Sequence, residues 1–183
     1  LIDVYSGDNY LSKCDPAAVA KEALKAATLD LPINKQLGFA YIVPYGNTPT
    51  FILGYKGYIQ LAMRSGQYRY INSGPVYEGE LTSEDRLTGE IDLTGERVSD
   101  KVIGYFAFIE TVNGFRKTVY WNKDQVIFHA KKFSKSYNST NSVWKSDFDA
   151  IATKTVMRHL LSHYALLSVE LQKAVELDED PLY

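Results

Sequence analysis

His159 and His163 stand four residues apart in "VMRHLLSHY", the spacing of two zinc ligands on one helix face. A zinc protease of the HExxH type needs Glu directly after the first His to activate water, and Leu160 stands there. The pair is read as structural. A second chemistry is suggested by the acids Glu78, Glu80, Glu84, Asp85, Glu90, Asp92, Glu96 and Asp100, opposed only by Arg86 and Arg97. Paired carboxylates can hold two metal ions across a phosphodiester. These acids fall on a turn-rich stretch with alternating Leu and Ile, and a solvated edge hairpin is the favoured reading. Cys14, the lone cysteine, has no His near it in sequence, and no GxSxG elbow occurs. The corner "LGYKG" lacks the second half of a Walker A loop, and GxGxxG is missing too. Neither ATP- nor NAD-dependent chemistry has support. Gly54 and Gly57 are read as turn residues around Tyr55 and Lys56.

Basic and aromatic residues form a further set. The net charge is −2, which argues against a simple basic nucleic-acid binder. Charge is segregated, however. Lys101, Arg116, Lys117, Lys123, Lys131, Lys132, Lys135, Lys145, Lys154 and Arg158 face only Glu110, Asp124, Asp147 and Asp149. Such segregation can present a basic groove on a near-neutral molecule. Lys154 and Arg158 are one helical turn apart and are expected to project together. Trp144, Phe148, Ile151 and Thr155 share a different face, extended by Val156 and His159, so Trp144 is read as a core anchor. Lys131, Lys132 and Lys135 lead into "FSKSYNSTNS", a polar loop that could order on a phosphate backbone. Pattern alone leaves two readings open: nucleic-acid binding, or a solvated helix beside a mobile loop.

The elements that must position these residues are legible in outline. Asp15 caps a helix with Pro16 at its first position, and Val19, Ala20, Ala23, Leu24 and Ala27 make its apolar face. "GFAYIVPYG" and "TFILGY" read as a hairpin around a Gly-Asn turn. A short helix from about Tyr58 to Arg64 follows. "YRYINSGPVYEG" reads as a strand bent at Gly74-Pro75. "KVIGYFAFIETVNGFRKTVYWN" is two strands around Asn113-Gly114. Asn122 and Gln125 form a capping box for a helix through about Lys132. A long helix from about Val143 to Tyr164 and a shorter one from Val169 to Leu177 complete the order. The fold class is α+β: a twisted antiparallel β-sheet with helices packed on one face.

The 183 residues suffice for one domain, and no linker or repeat is visible, so 1–183 reads as a single domain. Hydrophobic residues at 45% are ordinary for a globular chain, whereas 14 tyrosines are many. No run approaches a membrane span. The start "LIDVYSGDNY" lacks an initiator Met and a signal peptide, and reads as a fragment or an ordered core. One cysteine suits a reducing cytosol.

Three stretches together carry a resemblance: "ALKAATLDLPINKQLGFAYIVPYGN", "FILGYKGYIQLAMRSGQ" and "SVWKSDFDAIATKTVMRHLLSHY". In that order they resemble the RecT family of phage single-strand annealing proteins, the group that includes phage lambda Red beta. The tail "ELQKAVELDED" matches the family's alternating acidic and apolar ending. Asp30 stands where the family usually has Gly. Met63 takes a common Arg position, Val143 replaces Pro, and "MRHLL" has one Arg where two are frequent.

The resemblance implies ATP-independent binding of single-stranded DNA and annealing of complementary strands during phage-type homologous recombination. It implies rings or helical filaments, and a core similar to the annealing-protein fold of eukaryotic recombination mediators. A companion exonuclease and the host single-strand binding protein are implied partners, through a C-terminal region expected to be missing here along with an N-terminal extension. The setting is the cytoplasm of a bacterial host, with no membrane. No catalytic residue, metal site or cofactor is needed, and magnesium is possible but not required. The expected DNA contacts are Tyr55, Lys56, Arg64 and Arg69 in one groove, Lys154 and Arg158 as a second wall, and Lys131, Lys132 and Lys135 as a flexible flap. Lys101, Lys117, Lys123 and Lys145 are added to these. A metal-dependent nuclease and an assembly module without DNA activity are the rival readings.

Overall fold

The computed structural model describes residues 1–134, 137–138, 143–165 and 168–178. In chain order its elements are α1 (Ile2–Gly7), α2 (Pro16–Thr28), β1 (Ala40–Tyr45), β2 (Thr48–Leu53), α3 (Tyr55–Ser65) and β3 (Tyr68–Tyr77). Then come β4 (Ser83–Glu84), β5 (Ile91–Asp92), β6 (Val102–Thr111), β7 (Arg116–Asn122), α4 (Lys123–Phe133), α5 (Val143–Ser146), α6 (Phe148–Tyr164) and α7 (Val169–Leu177). They group into two compact units, residues 1–65 with 168–178 and residues 66–165.

In the first unit the Asp15 carboxylate accepts the Ala18 N–H at 3.0 Å, and Pro16 opens α2, as the sequence predicts. The buried face differs from the expected one. Val19, Glu22 and Ala26 are buried, while Leu24 is 66% exposed. The cause lies in β2. The β1–β2 hairpin turns at Gly46-Asn47, with Gly46 in the left-handed region at φ +62°. The outer edge of β2 then needs acceptors. Phe51 N–H donates to Glu22 Oε2 at 3.0 Å, and Leu53 N–H donates to Asp178 Oδ1 at 3.0 Å. Lys25 holds Glu22 at 2.8 Å, and the Tyr58 hydroxyl donates to Asp178 Oδ2 at 2.8 Å. Two buried carboxylates thus stand where a neighbouring strand would be.

The expected single sheet is accordingly corrected to three antiparallel sheets: β1–β2, β3–β6–β7 and β4–β5. The fold class remains α+β. Helix α2 ends in a Schellman motif: Asp30 N–H bonds Ala27 O and Leu31 N–H bonds Ala26 O, both at 3.0 Å. Asp30 occupies the left-handed position, φ +50°.

In the second unit β6 is central, with β3 and β7 as antiparallel neighbours. The β6–β7 hairpin turns through Asn113-Gly114, with Gly114 at φ +88°. The pairing register of β3 runs unbroken through Gly74-Pro75. Its irregularities lie instead at Tyr68/Tyr70 and Val76/Tyr77, and Pro75 is tolerated because β3 is an edge. Tyr105, Ala107 and Ile109 on one face of β6 are buried, and α4 and α6 pack on this sheet.

The Asn122–Gln125 capping box starts α4 as predicted. The predicted long helix from Val143 is interrupted. Asp147 leaves helical geometry and its carboxylate accepts the Ala150 N–H at 3.4 Å, so α5 ends and α6 begins anew. Trp144 is 3% exposed, and its Nε1–H donates to Ser134 Oγ at 3.2 Å, which makes it a core anchor.

Candidate nucleic-acid interface

Helices cover one face of the β3–β6–β7 sheet. Strand alternation and register decide what the other face carries. Phe106 lies opposite Gly74 and Tyr120, Phe108 opposite Asn72 and Thr118, and Glu110 opposite Tyr70 and Arg116. Phe106 and Phe108 are half-buried, and Tyr70 is exposed. Glu110 pairs with Arg69 on one neighbouring strand and Arg116 on the other, both at 3.4 Å. The Arg116 guanidinium lies 5.4 Å from the Phe108 ring centre, and that of Arg69 lies 5.5 Å from the Tyr70 ring centre. The two arginine side chains are 63% and 59% exposed, whereas the Glu110 side chain they share is 16% exposed. One cation can turn to a phosphate while the other stays on the carboxylate.

The acidic segment forms the β4–β5 hairpin beside this face. Between the two lies a cavity of about 630 Å³. Its walls are Thr88, Glu90, Ile91 and Leu93 from the acidic segment, and Phe106, Phe108, Arg116, Lys117 and Thr118 from the sheet. Lys117 Nζ donates to the Thr88 carbonyl at 3.3 Å, tying the loop to β7. Gly89 has φ +78°, and a Cβ there would sit 3.1 Å from the Thr118 carbonyl, so the loop approaches the strand through a glycine. Burial, with the Glu84 charge, raises the Tyr120 phenol above its ordinary pKa.

The predicted contacts divide between the units. In the first, Tyr55 and Lys56 belong to the first turn of α3, which starts earlier than expected. Lys56 is exposed and Tyr55 half-buried. The glycines around them serve packing. A Cβ on Gly54 would lie 2.1 Å from the Gly38 carbonyl, and one on Gly57 would lie 2.3 Å from the Phe39 carbonyl. The Gly54 amide is already bonded to Phe39 O at 2.9 Å. Arg64 donates to the carbonyls of Leu29 and Asp30 at 3.0 and 2.9 Å and so caps the end of α2.

In the second unit, Arg69 lies on the open face described above. Lys101 is 3.9 Å from Glu78, and Lys123 lies 5.4 Å from the Phe148 ring centre. Lys131 and Lys132 are exposed on the last turn of α4, an ordered helix rather than a flap, and Lys145 is exposed on α5. Lys135 lies outside the described residues. The expected exposed stripe of Lys154 and Arg158 is corrected: they are 8% and 9% exposed, because α6 is buried around nearly its whole circumference.

Sequence reasoning missed Phe106 and Phe108, and gave no separate role to Tyr70 or to Arg116 within the basic set. The signal was present, since registering the two strands across Asn113-Gly114 puts Phe106, Phe108, Thr118 and Tyr120 on one face. Also unforeseen is a chain of ring contacts that links Trp121 to all three histidines of the sequence. His129 and His159 lie 5.0 and 4.8 Å from the Trp121 ring, and His163 stacks on His159 at 4.0 Å. Burial, then the neighbouring His163 and His129, lowers the pKa of His159 to about 4. Among the described residues no group of three His, Cys, Asp or Glu side chains is placed to hold a metal ion, and no helix is long and apolar enough to cross a membrane.

The sequence pattern of the RecT family matches residues 2–181. The chain is 55% identical over 181 residues to an uncharacterized protein, YqaK, of Bacillus subtilis strain 168, covering 98% of this chain and 62% of that protein. It is 30% identical over 183 residues to Protein RecT of Escherichia coli strain K12, covering 94% of this chain and 66% of that protein. The chain thus spans just under two-thirds of the length of these curated relatives.

Proposed function

Because the chain belongs to the RecT family, we propose that it binds single-stranded DNA and anneals complementary strands in homologous recombination, without ATP and without covalent chemistry. The observation that carries this reading is the open sheet face, where Tyr70, Phe106 and Phe108 lie beside two exposed arginines that share Glu110. Annealing is an electrostatic problem. Two polyanions must approach while their base edges stay available. Cations that displace condensed counterions lower the repulsion, and contacts to phosphate and sugar accept any sequence. Aromatic faces accept any base. Exposed Lys56, Lys101, Lys123, Lys131, Lys132 and Lys145 add to the attraction.

The family also supports the finer parts of the reading. The two units act as one annealing domain over 1–183, assembled into a ring or helical filament in the cytoplasm of a bacterium carrying a phage or prophage. Its core is akin to that of eukaryotic annealing proteins. A companion exonuclease and the host single-strand binding protein are its partners, with magnesium optional. The α2 groove lined by Ala20, Leu24, Ala27, Leu31 and Ile33 supports self-association.

The test mixes the protein with one labelled oligonucleotide, then adds the complement, without ATP and with or without magnesium. A complex that forms far better on sequential addition, with intact strands, is expected. Shortened strands would move the function to a nuclease. Absence of any complex at low salt, with folded protein, would leave an assembly module.

A further inference from the structure

We propose that the cavity between the β4–β5 hairpin and the open sheet face holds one unpaired nucleobase. Each copy then keeps at least one nucleotide out of pairing until the complement arrives. The inference rests on the single-strand-binding reading above and names what that face takes.

Four observations converge on a base. The volume of about 630 Å³ lies within the range of small-molecule sites and is too confined for a duplex. The floor is two half-buried phenylalanines two residues apart on one strand face, Phe106 and Phe108, and the opposite wall is Ile91 and Leu93. A flat apolar ring between an aromatic floor and an aliphatic wall is the arrangement of a stacked base. Two cations line it: Arg116, over Phe108, and Lys117, whose Nζ bonds the Thr88 carbonyl. A phosphate has a partner there when its base is inside.

The carboxylate in the lining, Glu90, fits a base edge and not a phosphate. Glu90 and Thr88 belong to the acidic loop. A carboxylate repels phosphate but accepts from the ring and exocyclic N–H donors of bases. The acidic hairpin therefore orients the nucleotide, base inward and phosphate outward.

The test uses the protein with a single-stranded oligonucleotide carrying one 5-iododeoxyuridine, irradiated at long wavelength, with the cross-linked peptide mapped by mass spectrometry. Cross-links to Phe106 or Phe108 are expected. Phe108→Leu keeps apolar bulk in the wall and should cut both cross-link yield and single-strand affinity roughly tenfold, with affinity for preformed duplex changed less. Its unfolding midpoint serves as the folding control, and Ile91→Ala is a second variant on the opposite wall. If the strand is retained but cross-links map elsewhere and both variants bind normally, the cavity is no base site, while DNA binding stands. If Phe108→Leu changes oligomeric state and not DNA affinity, a second copy or a peptide occupies the cavity and the inference is overturned. If no strand is retained at all, both the inference and the reading beneath it fail.

Discussion

Replacing Asp178 by Ala removes the acceptor for two donors, the Leu53 N–H at 3.0 Å and the Tyr58 hydroxyl at 2.8 Å. The carboxylate is 5% exposed, so water is poorly placed to substitute. A hydrogen bond to a charged group contributes about 1.5–3 kcal/mol, and each buried neutral donor left without an acceptor costs about 1–3 kcal/mol. The expected loss is about 3–4 kcal/mol, much of the roughly 5–15 kcal/mol that holds a typical domain. Asp178→Asn keeps one good acceptor and should lose about 1–2 kcal/mol.

The assay can locate this loss. Both tryptophans, Trp121 and Trp144, lie in the unit of residues 66–165. Urea unfolding followed by far-ultraviolet circular dichroism should shift or split, while tryptophan fluorescence moves less. Amide exchange at Leu53 should accelerate specifically. An Ala variant within about 0.5 kcal/mol of wild type, the range of an ordinary surface substitution, with Leu53 still protected, would refute the edge-capping argument.

Asp30→Gly should stabilise the protein by about 0.5–1 kcal/mol, because Gly accepts the left-handed position without the side-chain cost; the thermal midpoint reads it, and a fall would refute it. For His159 the folded pKa of about 4 lies below the ordinary value. The unfolded chain therefore binds more protons between about pH 6.5 and 4. Stability is complete above that window and is lost as pH falls through it. The full shift corresponds to about 3 kcal/mol, and partial exposure reduces it to about 1–2 kcal/mol. His159→Gln should flatten the profile, measured by chemical denaturation at each pH. Met63 is 62% exposed on α3. Met63→Arg should strengthen single-strand binding and steepen the salt slope by about 0.7, and Lys56→Ala should do the reverse; unchanged slopes would remove both positions from the DNA path.

Local chemistry was legible in the sequence. Asp15, the Asn122–Gln125 box, the Gly46-Asn47 and Asn113-Gly114 turns and the bounds of α7 all act through neighbours a few residues away. Partnerships across long separations were not legible. Glu22 and Asp178 look like solvated charges on helical segments, yet they are buried because the edge of β2, 29 and 125 residues away, needs acceptors. Asp147 reads as one more helical residue until its side chain caps the next helix. Lys154 and Arg158 form a polar stripe by periodicity alone, and only the packing around α6 shows that the stripe is covered. The open sheet face escaped for a related reason. Both faces of β6 are apolar, so alternation shows that two faces exist but not which one the helices take.

The most direct test of the account is the annealing rate of two complementary oligonucleotides with wild type and with Arg69→Ala/Arg116→Ala, at equal protein and moderate salt without ATP. Both arginines are more than half exposed, but Glu110 between them is 16% exposed, so Arg69→Gln/Arg116→Gln, which keeps a donor to it, is measured alongside, with the unfolding midpoint as the folding control. Wild type is expected to anneal the strands fast. The variant is expected to show single-strand affinity lowered about tenfold or more, a salt slope smaller by about 1.4, and slowed annealing. A folded variant that binds and anneals like wild type would contradict the claim that the open sheet face carries the DNA.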